Sequence, residues 1–321
     1  MIPVSVVLTA YNSAPFIAEA VESVLRQTFR DFEVIAVDDG SQDGTSEILD
    51  RYSDPRLHVV HQNNGGPAAS LNTGLRLARG RYVALLDGDD CWHSDKLRSH
   101  LAYLDANPGA DLTFDWSDWI DSNGRKTGLH SAWRRGRFSF RALLEDFVIG
   151  NTSSVVFRRS ALDTAGMCDS QFHRYYDADL FLRIALLKEG NVHALPRPLT
   201  YYRRHGAQMS RDWTVMRQEW CALLEKFRSI APRETAEAAP RGSSNMTRYF
   251  AVLAYEDGDF PEAARILAGS FRAAPLLYLT DLRNWTLTAA AAAGLLLPPA
   301  VHCWLERLAG IATTGGRRTA C

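Results

Sequence analysis

The sequence predicts an α/β protein whose mostly parallel sheet is followed by an all-helical extension. Two observations carry that prediction. Short apolar runs at 4–8, 33–37, 57–61 and 82–86 alternate with longer stretches of helical periodicity, the order of a parallel sheet covered on both faces. Beyond Arg211 every long segment is helical in pattern, rich in Ala and free of strand alternation. A boundary near 210 follows, dividing the chain into 1–210 and 211–321.

The first strand, 4–8, is β-branched and leads into a helix in which Phe16, Ile17, Ala20, Val21, Val24 and Leu25 recur at helical spacing. Pro15 suits the opening turn of that helix, and Glu19 and Glu22 fall on its wet side. A second helix over about 44–52 stops before Asp54-Pro55, and a third over about 67–78 closes at Gly80. From Asp111 the order loosens: a strand at 112–116, a turn at 121–124, an amphipathic stretch at 138–147 and a strand at 153–158. A helix over about 178–188 and a strand at 199–202 complete this half, so 1–110 and 111–210 read as two halves of one sheet.

The chain has 321 residues, 36 Lys and Arg against 37 Asp and Glu, and a net charge of −1. Without a basic block there is no electrostatic footprint for nucleic acid, which is excluded as a partner. Five widely spaced cysteines without a CxxC pair argue against a disulfide framework or structural zinc. Together with an N-terminus lacking a basic region before its apolar run, they predict a cytoplasmic protein.

Ligands of open α/β sheets bind outside the carboxyl ends of the strands. Three polar clusters stand there: Thr9-Ala10-Tyr11-Asn12, Asp38-Asp39-Gly40-Ser41 and Asp87-Gly88-Asp89-Asp90. Taken alone, Asp38-Asp39-Gly40 is a turn and helix cap. The third cluster sets three carboxylates within four residues after a buried-looking run. Such like charges repel, and a cation relieves them. Mg²⁺ or Mn²⁺ takes one or two protein carboxylates and completes its shell with water and phosphate oxygens. A metal-bridged nucleotide diphosphate therefore fits this strand end.

The segments 4–12, 37–45, 78–92 and 177–183 together resemble the family 2 inverting glycosyltransferases over about residues 1–210. The resemblance implies the GT-A fold, a Rossmann-like mixed sheet flanked by helices, with the nucleotide-sugar in half 1–110 and the acceptor in half 111–210. It implies that Thr9, Tyr11 and Asp39 hold the base and ribose, that Asp87 and Asp89 form the DxD element, and that Asp89 is the direct metal ligand. His205, in the segment 202–210, matches a His near the metal and diphosphate in some members. The function it implies is transfer of a sugar from a nucleotide-diphosphate donor, expected to be a UDP-sugar, to a glycan or lipid-linked hydroxyl in surface polysaccharide synthesis.

Inverting transfer needs one base for the acceptor proton. Asp177 matches the Asp of the family's Glu-Asp pair, while Tyr176 stands where the Glu is usual. The residues alone leave Asp177 open between base and helix N-cap, and Asp179 is a second candidate. Leu71 replaces an Arg that many relatives carry before the Asn. Trp92, Trp116, Trp119 and Trp133 read either as core or as faces on which sugar rings stack.

In the tail, 254–275 looks like a single tetratricopeptide-type hairpin, too few for a solenoid. Between Arg283 and Glu306 no residue is charged, yet Pro298-Pro299 breaks the run, so a buried or interfacial helical pair is expected and not a spanning helix. Arg307, Arg317 and Arg318 would then meet anionic lipid at the inner face of the membrane. The competing function is a catalytically silent nucleotide- or glycan-binding subunit that docks an enzyme through its tail. A sugar-phosphate nucleotidyltransferase is disfavoured because no Gly-rich basic loop follows the first strand.

Overall fold

The computed structural model describes residues 2–131, 133–206, 208, 212–297 and 301. It separates into two compact units, the first comprising 1–143 and 147–204, the second 144–146 and 205–321.

The first unit is built on a sheet that runs, in spatial order, β3 (Leu57–His61), β2 (Phe32–Asp38), β1 (Val4–Ala10), β4 (Tyr82–Asp87), β9 (Val155–Arg158), β6 (Leu112–Ile120), β10 (Val192–Arg203) and β5 (Cys91–Trp92). Strands β7 (Lys126–His130) and β8 (Gly136–Phe138) add to β6 and β10. The first four strands are mutually parallel, and β6 is parallel to β10. Strand β9 joins these blocks antiparallel to both β4 and β6, which makes the sheet mixed, as the sequence implied. Strand β1 lies between β2 and β4, with Val4 opposite both Phe32 and Tyr82. Its Val4, Val6, Val7 and Leu8 are wholly buried, because a central parallel strand is covered on both faces and has no wet side.

Helices α1 (Ile17–Leu25), α2 (Thr45–Leu49) and α3 (Pro67–Leu77) fall where periodicity put them. The inward stripe of α1 is Ile17, Ala20, Val21 and Val24, and Pro67 opens α3, where its missing N–H costs nothing. Helices α5 (Phe140–Glu145), α6 (Arg159–Ala165) and α7 (Tyr176–Leu186) follow. Periodicity misses α4 (Lys96–Ala106) because its inner face is polar: Lys96 and His100 are fully buried there. Both turn to Asp115 of β6. Lys96 donates its Nζ to the carboxylate, His100 Nε2 lies 2.9 Å away, and Thr200 Oγ1 donates at 2.8 Å. Burial, reinforced by the Lys96 charge, drives the His100 pKa down to about 4.

The second unit contains α8 (Trp213–Ile230), α9 (Pro232–Asp257), α10 (Phe260–Ala273), α11 (Pro275–Thr280) and α12 (Leu282–Leu296). The expected hairpin is α9 and α10, turned by Gly258 and capped where Asp259 accepts from the Glu262 N–H at 3.0 Å. Among the described residues no helix is long and apolar enough to cross a membrane. The breaks at Pro298-Pro299 and the positions His302, Trp304, Arg307, Arg317 and Arg318 lie outside the described residues, as do Met209 and Ser210 beside His205.

Candidate active site

The polar clusters at the ends of β1, β2 and β4 converge at one edge of the sheet. The loop after β1 is fastened to the loop after β2. Asn12 takes a left-handed φ of 49°, donates its N–H to Ser41 Oγ at 2.9 Å and accepts from the Gln42 N–H at 2.8 Å. Ser13 and Ala14 donate their N–H groups to Thr45 Oγ1 and Asp43 Oδ2. Tyr11, in the laced loop after β1, is 51% exposed.

Both acidic residues after β2 are heavily bonded. Asp38 accepts from the Ser41 N–H at 3.1 Å and Ser46 Oγ at 2.5 Å, with His61 Nδ1 at 3.0 Å. Burial works to raise its pKa, but these donors outweigh it and hold the carboxyl below the usual range. Asp39 accepts from Gln62 Nε2 at 2.6 Å and from the Gly65 and Gly66 N–H groups at 2.9 and 2.8 Å. It thus organises the loop leading into α3. Gly40, at φ +75°, passes so close to that loop that a Cβ would sit 2.8 Å from the Asn64 nitrogen.

The end of β4 is different. Thr9 Oγ1 lies 3.5 Å from Asp87 Oδ1, and the Asp87 N–H donates to Ser153 Oγ at 3.0 Å. Gly88 turns tightly under β1, its N–H on the Thr9 carbonyl at 2.8 Å, where a Cβ would come within 3.1 Å of Ala10 Cβ. Burial, followed by the charges of Asp89 and Asp177, pushes Asp87 up to about 8. Asp90 is 1% exposed and raised as well, by burial and then by Asp89 and Asp87.

Asp177 arrives from α7. The short turn Thr152–Ser154 before β9 joins it to the β4 end: Thr152 Oγ1 donates to Asp177 Oδ2 at 2.8 Å, while Ser153 Oγ receives the Asp87 N–H. The Ala178 N–H donates to Asp177 Oδ1 at 2.7 Å, and burial raises this carboxyl too. Tyr176 is buried, its pKa driven far up by burial and then by the Asp87 and Asp177 charges. It therefore brings a neutral hydroxyl where a second carboxylate is usual. Asp179, 0% exposed, pairs with Arg183 at 2.7 Å, while Asp177 is linked through Thr152 and by charge to the end of β4.

The structure thus brings Thr9, Asp87, Asp89 and Asp177 together, with Tyr11 and Asp39 on the adjoining loops. His205 opens the second unit, its N–H on Gln208 Oε1 at 3.3 Å. Sequence reasoning missed Thr152 and Ser153; the run Asn151-Thr152-Ser153-Ser154 before an apolar strand was the available signal. Among the described residues no three His, Cys, Asp or Glu side chains form a ready-made metal cage. The chemistry of the donors nonetheless suits Mg²⁺ or Mn²⁺, which take oxygen ligands and relieve repulsion among neighbouring carboxylates such as Asp87, Asp89 and Asp90.

A mixed sheet with α1 to α3 beside its first strands and a carboxylate cluster at its strand ends is the arrangement of the GT-A fold. Residues 5–166 match the glycosyl transferase family 2 domain, and the chain belongs to that family. It is 31% identical over 211 residues to WfaP of Escherichia coli, named as a UDP-Glc:α-D-GlcNAc-diphosphoundecaprenol β-1,3-glucosyltransferase, covering 64% of this chain and 79% of that one. Several other curated relatives match at 40–48% identity over 93–105 residues, and the chain spans only 17–41% of their length. Among solved structures, S. aureus TarS residues 1–349 with UDP-GlcNAc superposes with a TM-score of 0.64 at 21% identity, over 90% of both chains. The mannosyltransferase PcManGT of Pyrobaculum calidifontis, in complex with GDP-Man and Mn²⁺, superposes at 0.55 and 21% identity over 99% of this chain and 87% of that one. These structural likenesses are likenesses of fold.

Proposed function

We propose that this chain is a metal-dependent inverting glycosyltransferase that moves a sugar from a UDP-sugar to a hydroxyl of a glycan or lipid-linked acceptor in bacterial surface polysaccharide synthesis. The observation that carries this reading is the convergence of Asp87 and Asp177 on one two-residue bridge, Thr152-Ser153, with Asp89 beside them. The donor type and the acceptor class are those in the names of its relatives.

In this reading Tyr11 stacks on the base, Thr9 and Asp39 hold base and ribose, and Asp87 orients the ribose and diphosphate. Asp89 is the residue of the first unit that would hold Mn²⁺ or Mg²⁺; when bound, the ion neutralises the charge that develops on the departing diphosphate. Asp177 takes the proton of the acceptor hydroxyl as that oxygen attacks the anomeric carbon from the face opposite the diphosphate. Thr152 fixes the Asp177 carboxylate, and burial raises its basicity. Tyr176 adds no negative charge, so the cluster carries one fewer charge than a Glu-Asp pair would bring.

The second unit supports a lipid-linked acceptor. On α11 and α12, Leu276 and Leu282 are 77% and 78% exposed, with Leu279 and Trp285 also uncovered. Such a patch suits a peripheral contact with lipid at the inner face of the membrane.

The test is a thermal-shift screen of UDP- and GDP-sugars with and without Mn²⁺. A true donor at a hundredfold over its Kd stabilises by ~3 kcal/mol. Greater stabilisation by a UDP-sugar with Mn²⁺ than without it supports the reading; no response to any nucleotide-sugar overturns it. Binding without turnover on any acceptor favours the silent-subunit alternative.

A further inference from the structure

The residue that holds the acidic turn from beneath is Arg203, the last residue of β10. It is 1% exposed, and its groups reach three separate pieces of the first unit. Its backbone N–H donates to Asp90 Oδ1 at 2.8 Å, and its Nε donates to the carbonyl of Asp89 at 2.7 Å. Its Nη1 donates to the Asp121 carbonyl, in the turn after β6, at 3.1 Å, and its Nη2 donates to Glu19 Oε2 of α1 at 2.5 Å. The guanidinium also lies over the Phe16 ring, 4.9 Å from its centroid.

We infer that Arg203 is a positioning residue that sets where the Asp89 carboxylate points, by clamping the Asp89 carbonyl and the Asp90 side chain to the ends of α1, β6 and β10. The inference rests on the reading of Asp89 as the metal ligand. The physical argument is one of geometry. A turn carrying three acidic side chains tends to splay, since the charges repel. The Asp87 end is tied to Thr9 and Ser153, and Gly88 is pinned under β1. The Asp89-Asp90 end receives two bonds from Arg203. A planar, permanently charged fork can satisfy Asp89, Asp121 and Glu19 at once while stacking on Phe16; an ammonium cannot. Burying an Arg is costly unless its donors are used, and here the cost falls at the one turn whose geometry the metal reads.

The test compares Arg203→Lys, Glu19→Gln and Asp89→Asn in the full chain. Mn²⁺ affinity is measured by electron paramagnetic resonance of free Mn²⁺ in the presence of UDP, and UDP affinity by calorimetry in EDTA, both well below each variant's melting midpoint. Arg203→Lys is expected to weaken Mn²⁺ about tenfold while leaving metal-free UDP affinity within about twofold, and Glu19→Gln to weaken Mn²⁺ by a few-fold. A role in stability alone would lower the midpoint without moving Mn²⁺ affinity, and that outcome overturns the inference. Should Arg203→Lys fail to fold, Glu19→Gln decides: Glu19 is half exposed, and wild-type Mn²⁺ affinity in that variant overturns the clamp. Asp89→Asn separates the two layers. If it loses Mn²⁺ while the clamp variants do not, the clamp is wrong. If it retains Mn²⁺, the metal assignment is wrong, and hydrogen exchange of the 87–90 amides then tests the clamp by itself: faster exchange in Arg203→Lys supports it, unchanged exchange refutes it.

Discussion

The two acidic strand ends treat their carboxylates in opposite ways. After β2, Asp38 and Asp39 together receive donors from Ser41, Ser46, Gln62, Gly65 and Gly66, with His61 alongside. After β4, Asp87 and Asp90 receive fewer donors, and burial followed by the neighbouring carboxylates pushes both toward protonation, Asp87 to about 8. The difference is one of occupation. A carboxylate whose oxygens are met by the protein shapes a loop, whereas one left under-donated beside like charges is prepared for a cation or a proton.

Substitutions at the two ends should therefore have different signatures. Asp89→Ala is expected to abolish Mn²⁺-dependent UDP binding and, with it, transfer; calorimetry showing unchanged binding would remove Asp89 from the metal site. Asp177→Asn should keep donor affinity but lose ~10²–10⁴-fold in transfer rate, the usual worth of a general base. A capping role would be nearly unaffected, since Asn caps helices well. Asp179→Asn, which weakens the Arg183 pair, serves as the contrast; a larger rate loss there than at Asp177 would reassign the base.

The pH dependence sharpens the comparison. Asp87 is raised from an ordinary 3.8 to about 8, so between those values the folded metal-free protein binds more protons than the unfolded chain, and stability falls as pH rises. In EDTA, Asp87→Asn should melt higher than wild type at pH 8 and by much less at pH 5; equal differences at both would contradict the raised carboxyl. Asp38 has the opposite sign: its depressed pKa contributes stability above the ordinary carboxylate range that is lost as pH falls through the folded value. The smallest expected effect is the loss of ~1–3 kcal/mol in Asp38→Ala, from depriving Ser41, Ser46 and His61 of a buried acceptor, measured by urea denaturation with Mn²⁺-UDP affinity of the folded protein retained.

Much of this site was legible in the chain. Strand ends were readable because apolar runs stop abruptly at Ala10, Asp38 and Asp87, and the ligand edge of a parallel sheet follows from strand direction alone. Helix α4 was not, because Lys96 and His100 face inward to Asp115, and a polar residue can only be recognised as core once its partner across the fold is known. Thr152 and Ser153 were missed for a similar reason: hydroxyls at a strand start are ordinary until Asp87 and Asp177 are brought to them from 66 and 25 residues away.

The alternation of strands and helices, the all-helical tail and the acidic turn at 87–90 depend on periodicity and on residues adjacent in the chain, and so are legible in the sequence by itself. Which carboxylates are satisfied and which are not depends on groups brought together by folding. Asp38 and Asp87 are the same residue type at the last position of a strand. Donors from Ser41, Ser46 and His61 in one case, and burial followed by the charges of Asp89 and Asp177 in the other, set their opposite protonation tendencies. Coulomb and hydrogen-bond energies depend on distance in space and on burial, and both are properties of the folded chain.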